Sequence, residues 1–182
     1  MKTIKVGVDA RLLSKPLTGI GRYTMQLCQA LSKRADIDLI LYSPSPLKQA
    51  FDPNTQLTVK NSQWNNGIAK QCWFETVLPR WAKKDHLDVF WGPAHRLPRK
   101  LSPTIARVVT IHDLVWKFAS ETMQTSTWLL EKYFMPFAIQ SADKIIADCH
   151  TSAAIIQQTF SDHAQKVCVL FPGVRRLSAP FL

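Results

Sequence analysis

Two short stretches of this chain hold residues whose types and spacing could do chemistry on an anionic or polyhydroxylated ligand. The first is Thr18-Gly19-Ile20-Gly21-Arg22, within the run GVDARLLSKPLTGIGRYTMQL from Gly7 to Leu27. Gly19 and Gly21 allow close backbone approach, and the free N–H groups of a helix opening there attract an anion. Arg22 would oppose the positive end of that helix, so it reads as a ligand contact rather than a stabilising choice. The second stretch is RVVTIHDL, Arg107 to Leu114, where a buried strand delivers His112 and Asp113 to its carboxyl end. An imidazole there can donate to a sugar hydroxyl, and a carboxylate can accept from one. A tight turn and a histidine that merely caps a strand end are the plainer alternatives.

Other chemistries lack their residues. A dinucleotide site needs G-x-G-x-x-G directly after the first strand, but Gly19 lies ten residues beyond Asp9 and the third glycine is missing. The second strand ends Leu41-Tyr42-Ser43 with no carboxylate for a ribose, and no G-K-[ST] or G-x-S-x-G occurs. The adjacent His112-Asp113 pair could suggest a metal-dependent phosphohydrolase, yet His86, His95, His150 and His163 supply no matching ligand pattern. Cys149-His150 reads as a strand-to-helix turn with Thr151 or a neighbour as N-cap. No metal site and no bound cofactor are expected.

The elements that must hold these residues follow from periodicity. Strands are predicted at Ile4–Val8, Asp38–Tyr42, Leu57–Lys60, Asp88–Trp91, Arg107–Ile111, Lys144–Ala147 and Lys166–Leu170. Helices are predicted at Tyr23–Ser32, Ile68–Lys83, Thr127–Ser141 and Thr151–Phe160. That alternation predicts an α/β fold, a doubly wound, mostly parallel Rossmann-like sheet. In the second helix Trp73, Val77 and Trp81 form an apolar line beside Phe74 and Leu78, with Pro79 interrupting the last turn. The line is read as core-facing, although Lys70, Arg80, Lys83 and Lys84 would also suit an interfacial helix.

The 182 residues, 46% of them hydrophobic, suit one α/β domain or one lobe of a larger enzyme. Four scattered cysteines without a C-x-x-C pair read as buried hydrophobes in a reducing compartment. No run approaches the roughly 20 apolar residues of a membrane span, so a cytoplasmic location is expected, with peripheral association on the inner face of the membrane as its membrane-bound variant. The formal charge of +10 is dispersed rather than interleaved with stacking aromatics, which argues against nucleic acid and for an anionic membrane surface.

The ordered runs VDARLL…TGIGRYT, WFETVLP, DVFWGPAHRLP, RVVTIHDL, ADKIIADCHTSAAII and KVCVLFPGV resemble the N-terminal lobe of family 4 glycosyltransferases. These are retaining enzymes of GT-B architecture, and the flavour is that of a mannosyltransferase-like branch building bacterial surface polysaccharide. The resemblance implies that residues 1–174 form the acceptor-side lobe. Residues 175–182 would begin an interdomain linker, and the donor-binding lobe, with its paired glutamates and basic pair, would be absent. It implies a catalytic role for His112 near the donor sugar, and substrate contacts at Gly19, Gly21, Arg22 and Asp113. Gly92 and His95 belong to the Trp91–Pro98 loop that would border the acceptor pocket. Asp148-Cys149 departs from the Val-Ser common in the family. The implied partners are a nucleotide-sugar donor, GDP-mannose by flavour, and a glycan or lipid-linked acceptor. A non-catalytic module that binds an anionic or sugar ligand is the other class left open.

Overall fold

Each apolar run forms a strand, and all seven strands pair in parallel in one sheet ordered β3-β2-β1-β4-β5-β6-β7. The computed structural model describes residues 3–52, 55, 57–64 and 66–173. The proposed boundary at Val174 and the 175–182 segment lie outside the described residues. The strands are β1 (Ile4–Asp9), β2 (Ile37–Ser43), β3 (Leu57–Asn61), β4 (Val89–Gly92), β5 (Ala106–Ile111), β6 (Lys144–Ala147) and β7 (Val167–Val169). The helices are α1 (Gly19–Leu31), α2 (Gly67–Lys84), α3 (Val115–Phe118), α4 (Thr125–Ser141) and α5 (His150–Thr159).

Winding runs outward from β1 to β2 and β3, then from β4 through β7 in the opposite direction. Because parallel crossovers are right-handed, this reversal places α1 on one face and α2, α4 and α5 on the other. Side chains of β2 show the division: Leu39 and Leu41 join Val8, Leu13 and Cys28 under α1, whereas Ile40 and Tyr42 join Trp73, Phe74 and Leu78. Burial pushes the Cys28 thiol up to about 12, so it serves as packing rather than as a nucleophile. The doubly wound expectation therefore holds, with every described strand parallel.

Several local expectations need correction. The first helix opens at Gly19 rather than Tyr23, because Thr18 in extended backbone already accepts from the Arg22 N–H at 2.9 Å. Pro79 does not interrupt α2, which continues to Lys84. Its ring is buried beside Leu78 and Ala82, and packing on both sides outweighs the lost hydrogen bond. Trp73, Phe74 and Leu78 are fully buried, at about 1.5–3 kcal/mol each, which settles that stripe as core. Cys149, not Thr151, caps α5, its Sγ accepting from the Ser152 N–H at 3.3 Å. The short α3 had no periodic signal, since four residues give periodicity nothing to act on.

Candidate active site at the switch point

The winding reverses between β1 and β4, and their carboxyl ends open a crevice that no crossover covers. A cleft of about 650 Å³ lies there, walled by loops after β1 and β4, by the starts of α1 and α2, and by α3 and α4. Its polar lining includes Asp9, Arg11, Lys15, Lys70, Arg96 and Glu131; Ile20, Trp116, Leu130 and Met135 supply apolar walls.

Asp9 ends β1 and is 3% exposed. Arg11 folds back over it, its Nε 2.9 Å from Oδ1 and its Nη2 2.7 Å from Oδ2. The guanidinium also lies 3.6 Å from the centre of the Phe74 ring, so charge and stacking hold it together. Thr18 and Ile20 line the cleft. Thr18 provides no side-chain cap, so among the described residues the first-turn N–H groups of α1 lack that usual acceptor. Gly21 is buried against Leu17, whereas Gly19 is exposed with open space around its Cα. Arg22 is exposed and does not line the cleft.

The loop after β4 passes in front of β5. The His95 N–H donates to the Thr110 carbonyl at 3.1 Å, and His95 takes a left-handed backbone, φ 63°. That strained conformation aims a nearly buried imidazole into the cleft wall. Its Nε2 accepts from the His112 N–H at 3.1 Å, which leaves the ring proton on Nδ1, 3.4 Å from Glu131 Oε2. Next to it, burial holds the Arg96 guanidinium below its ordinary range, partly offset by Glu131.

His112 is 11% exposed and lies behind the cleft lining. Its Nδ1 is 3.1 Å from Asp148 Oδ2 and its Nε2 is 3.0 Å from the Pro93 carbonyl oxygen. The Tyr23 ring meets it edge-on at 5.2 Å. Asp113 is exposed, lines the cleft, and accepts from the Val115 N–H at 3.1 Å, starting α3.

The structure thus brings Gly92, His95, His112 and Asp113 together beside the start of α1, and leaves Arg22 turned to solvent. Sequence reasoning missed Asp9-Arg11, Arg96, Glu131 and Asp148. A carboxylate ending the first strand with an arginine two residues on was a usable signal for the first pair. Glu131 and Asp148 gave none, because their partners are distant in sequence. Among the described residues no cluster of His, Cys, Asp and Glu could hold a metal ion.

An all-parallel, doubly wound layer with its cleft at the switch point is the Rossmann-like lobe from which GT-B glycosyltransferases are built. The sequence profile of Glycosyltransferase Family 4 matches residues 17–176, and the chain belongs to that family. Among solved structures it is similar to Anabaena Alr3699/HepE in complex with UDP and glucose, at 15% identity and a TM-score of 0.55. It is also similar to Phytolacca americana UGT2 complexed with UDP-2fluoro-glucose and pterostilbene, at 10% identity and a TM-score of 0.61. The alignments cover 94% and 97% of this chain but only 45% and 56% of those proteins, so the chain spans about half their length. No curated protein matches the sequence.

Proposed function

We propose that this chain is the acceptor-side lobe of a retaining hexosyltransferase that draws on a nucleotide sugar and extends a glycan or lipid-linked acceptor. The supporting observation is the convergence of carboxyl-edge loops on one cleft in a member of Glycosyltransferase Family 4. Charge developing on the departing diphosphate would be met by fixed donors, helix N-termini and cations, without a metal. The acceptor hydroxyl would enter from the face the diphosphate leaves, with Asp9, His95 and Glu131 as the polar groups available to orient it. His112 would place the donor sugar through the loops it fastens.

GDP-mannose follows from the family flavour and UDP-glucose from the ligands of the two solved relatives, so both belong in the assay. The complete gene product containing this chain is expected to transfer from one of these donors with retention at the anomeric carbon. Mass spectrometry of the product and NMR of its anomeric proton read both points. The 182-residue chain alone is expected to show negligible turnover. Failure of the complete protein with every nucleotide sugar in a broad panel would defeat the proposal.

The lobe also carries a surface suited to an anionic membrane. Phe118, Leu129, Leu130 and Tyr133 are exposed on α3 and α4, and Ile68 is exposed at the start of α2 across the cleft. Cations are set among them: Lys132 Nζ is 4.6 Å from the Trp128 ring centre and the Arg99 guanidinium 4.6 Å from that of Tyr133. Apolar side chains ringed by cations match a headgroup boundary and would bring a lipid-linked acceptor to the cleft mouth. No described helix is long and apolar enough to cross a membrane. The chain is expected to sediment with phosphatidylglycerol-containing vesicles and not with neutral ones, and Leu129→Ser/Tyr133→Ser to weaken that binding at least several-fold. Equal partition to both vesicle types would exclude the membrane role.

A further inference from the structure

We infer that Asp148 is a positioning residue: its carboxylate holds the His112 ring by Nδ1 and, through that ring, fixes the loop that forms the cleft wall. The placement begins with register. Ile111 of β5 pairs with Ala147 of β6, so His112 and Asp148 are the next residues past adjacent carboxyl ends, side by side. Asp148 Oδ2 lies 3.1 Å from His112 Nδ1, and the opposite ring nitrogen lies 3.0 Å from the Pro93 carbonyl oxygen. Both neighbours are acceptors. Only a ring bearing a proton on each nitrogen donates to both.

Among the described residues, the groups facing the ring are few. They are Asp148 from the β6–α5 turn, His95 from the β4–β5 loop with ring centroids 5.5 Å apart, Tyr23 from α1, and Asp113 next along the chain. His95 has its Nε2 occupied by the His112 N–H, Asp113 is engaged at the start of α3, and burial with the nearby Asp148 charge keeps the Tyr23 phenol neutral by pushing it up. Asp148 is therefore the carboxylate in contact with the ring.

The same turn also grips the backbone, since Ser152 Oγ donates to the His112 carbonyl at 2.7 Å. From His112 the hold passes along two routes. Nε2 anchors Pro93, whose followers Ala94, His95 and Arg96 line the cleft, and the backbone N–H sets the His95 proton toward Glu131. Loss of either ring contact would free one end of this clamp and loosen the wall. The bearing on sugar transfer rests on the proposed function; the clamp itself does not.

The test needs no substrate. Histidine-labelled ¹⁵N chain is compared by NMR at one pH as wild type, Asp148→Asn and Asp148→Glu, with the His112 ring assigned by two-bond correlations. The His112 Nδ1 resonance should move between wild type and Asp148→Asn, and the amides of residues 94–96 should move with the ring. Asp148→Glu, which restores the charge, should recover most of the difference; well-dispersed amide spectra confirm that each variant folds. Identical His112 ring-nitrogen resonances in wild type and Asp148→Asn would overturn the inference, as would amides at 94–96 that ignore the ring. A failed transfer assay would leave either result standing.

Discussion

Gly92→Ala is expected to destabilise the protein by more than about 3 kcal/mol, above what a single added methyl usually costs in a core. A Cβ at this position would fall 2.0 Å from the Arg96 carbonyl oxygen and 3.1 Å from its carbon. Both are backbone atoms, so no rotamer change relieves the overlap. The loop cannot simply recede. His95 is bonded to the Thr110 carbonyl, His112 Nε2 holds Pro93, and Leu97 is buried in the core. The backbone of Gly92 has no positive φ, so the requirement is for space. Gly7→Ala is the comparison: its Cβ would meet Leu87 Cδ1 at 2.3 Å and Tyr42 Cε2 at 2.9 Å, side-chain atoms rather than backbone. Denaturant midpoints should therefore fall further for Gly92→Ala than for Gly7→Ala, and a wild-type midpoint for the former would refute the steric reading.

His112→Ala is the second change with a large expected effect. In the complete gene product it should lower turnover about 100-fold, the scale for displacing a positioning wall by about 1 Å. The ring's removal leaves Asp148 and the Pro93 carbonyl without their partner, so stability should also fall by about 1–3 kcal/mol. Steady-state kinetics and a denaturation curve on the same preparation separate the two effects. Turnover at the wild-type level would remove His112 from the mechanism.

The sheet was legible because its strands are short apolar runs bounded by turn residues, and strand boundaries erred by no more than a single residue, as at β4 and β7. The start of α1 was placed four residues late because TGIG reads as a loop by propensity, whereas a helix can carry glycine in its first turn when Thr18 accepts the opening bond. Of the site, His112-Asp113 was visible from its position at a strand end. The carboxylates that engage the two histidines were not. Glu131 sits mid-helix in a pattern that also fits a solvated face, and Asp148 meets His112 only because β5 and β6 are neighbours, a fact of topology that neither local sequence contains.

Beneath this site the indole Nε1 of Trp91 donates to Thr110 Oγ1 at 2.9 Å, a buried cross-link between β4 and β5. Sliding one strand past the other would break that bond in a dry environment, so the platform is stiff where the crevice opens. Changes in what the crevice accepts would fall instead to side chains lining it from α3 and α4, such as Val115, Thr127 and Leu130, while the foundation stays unaltered.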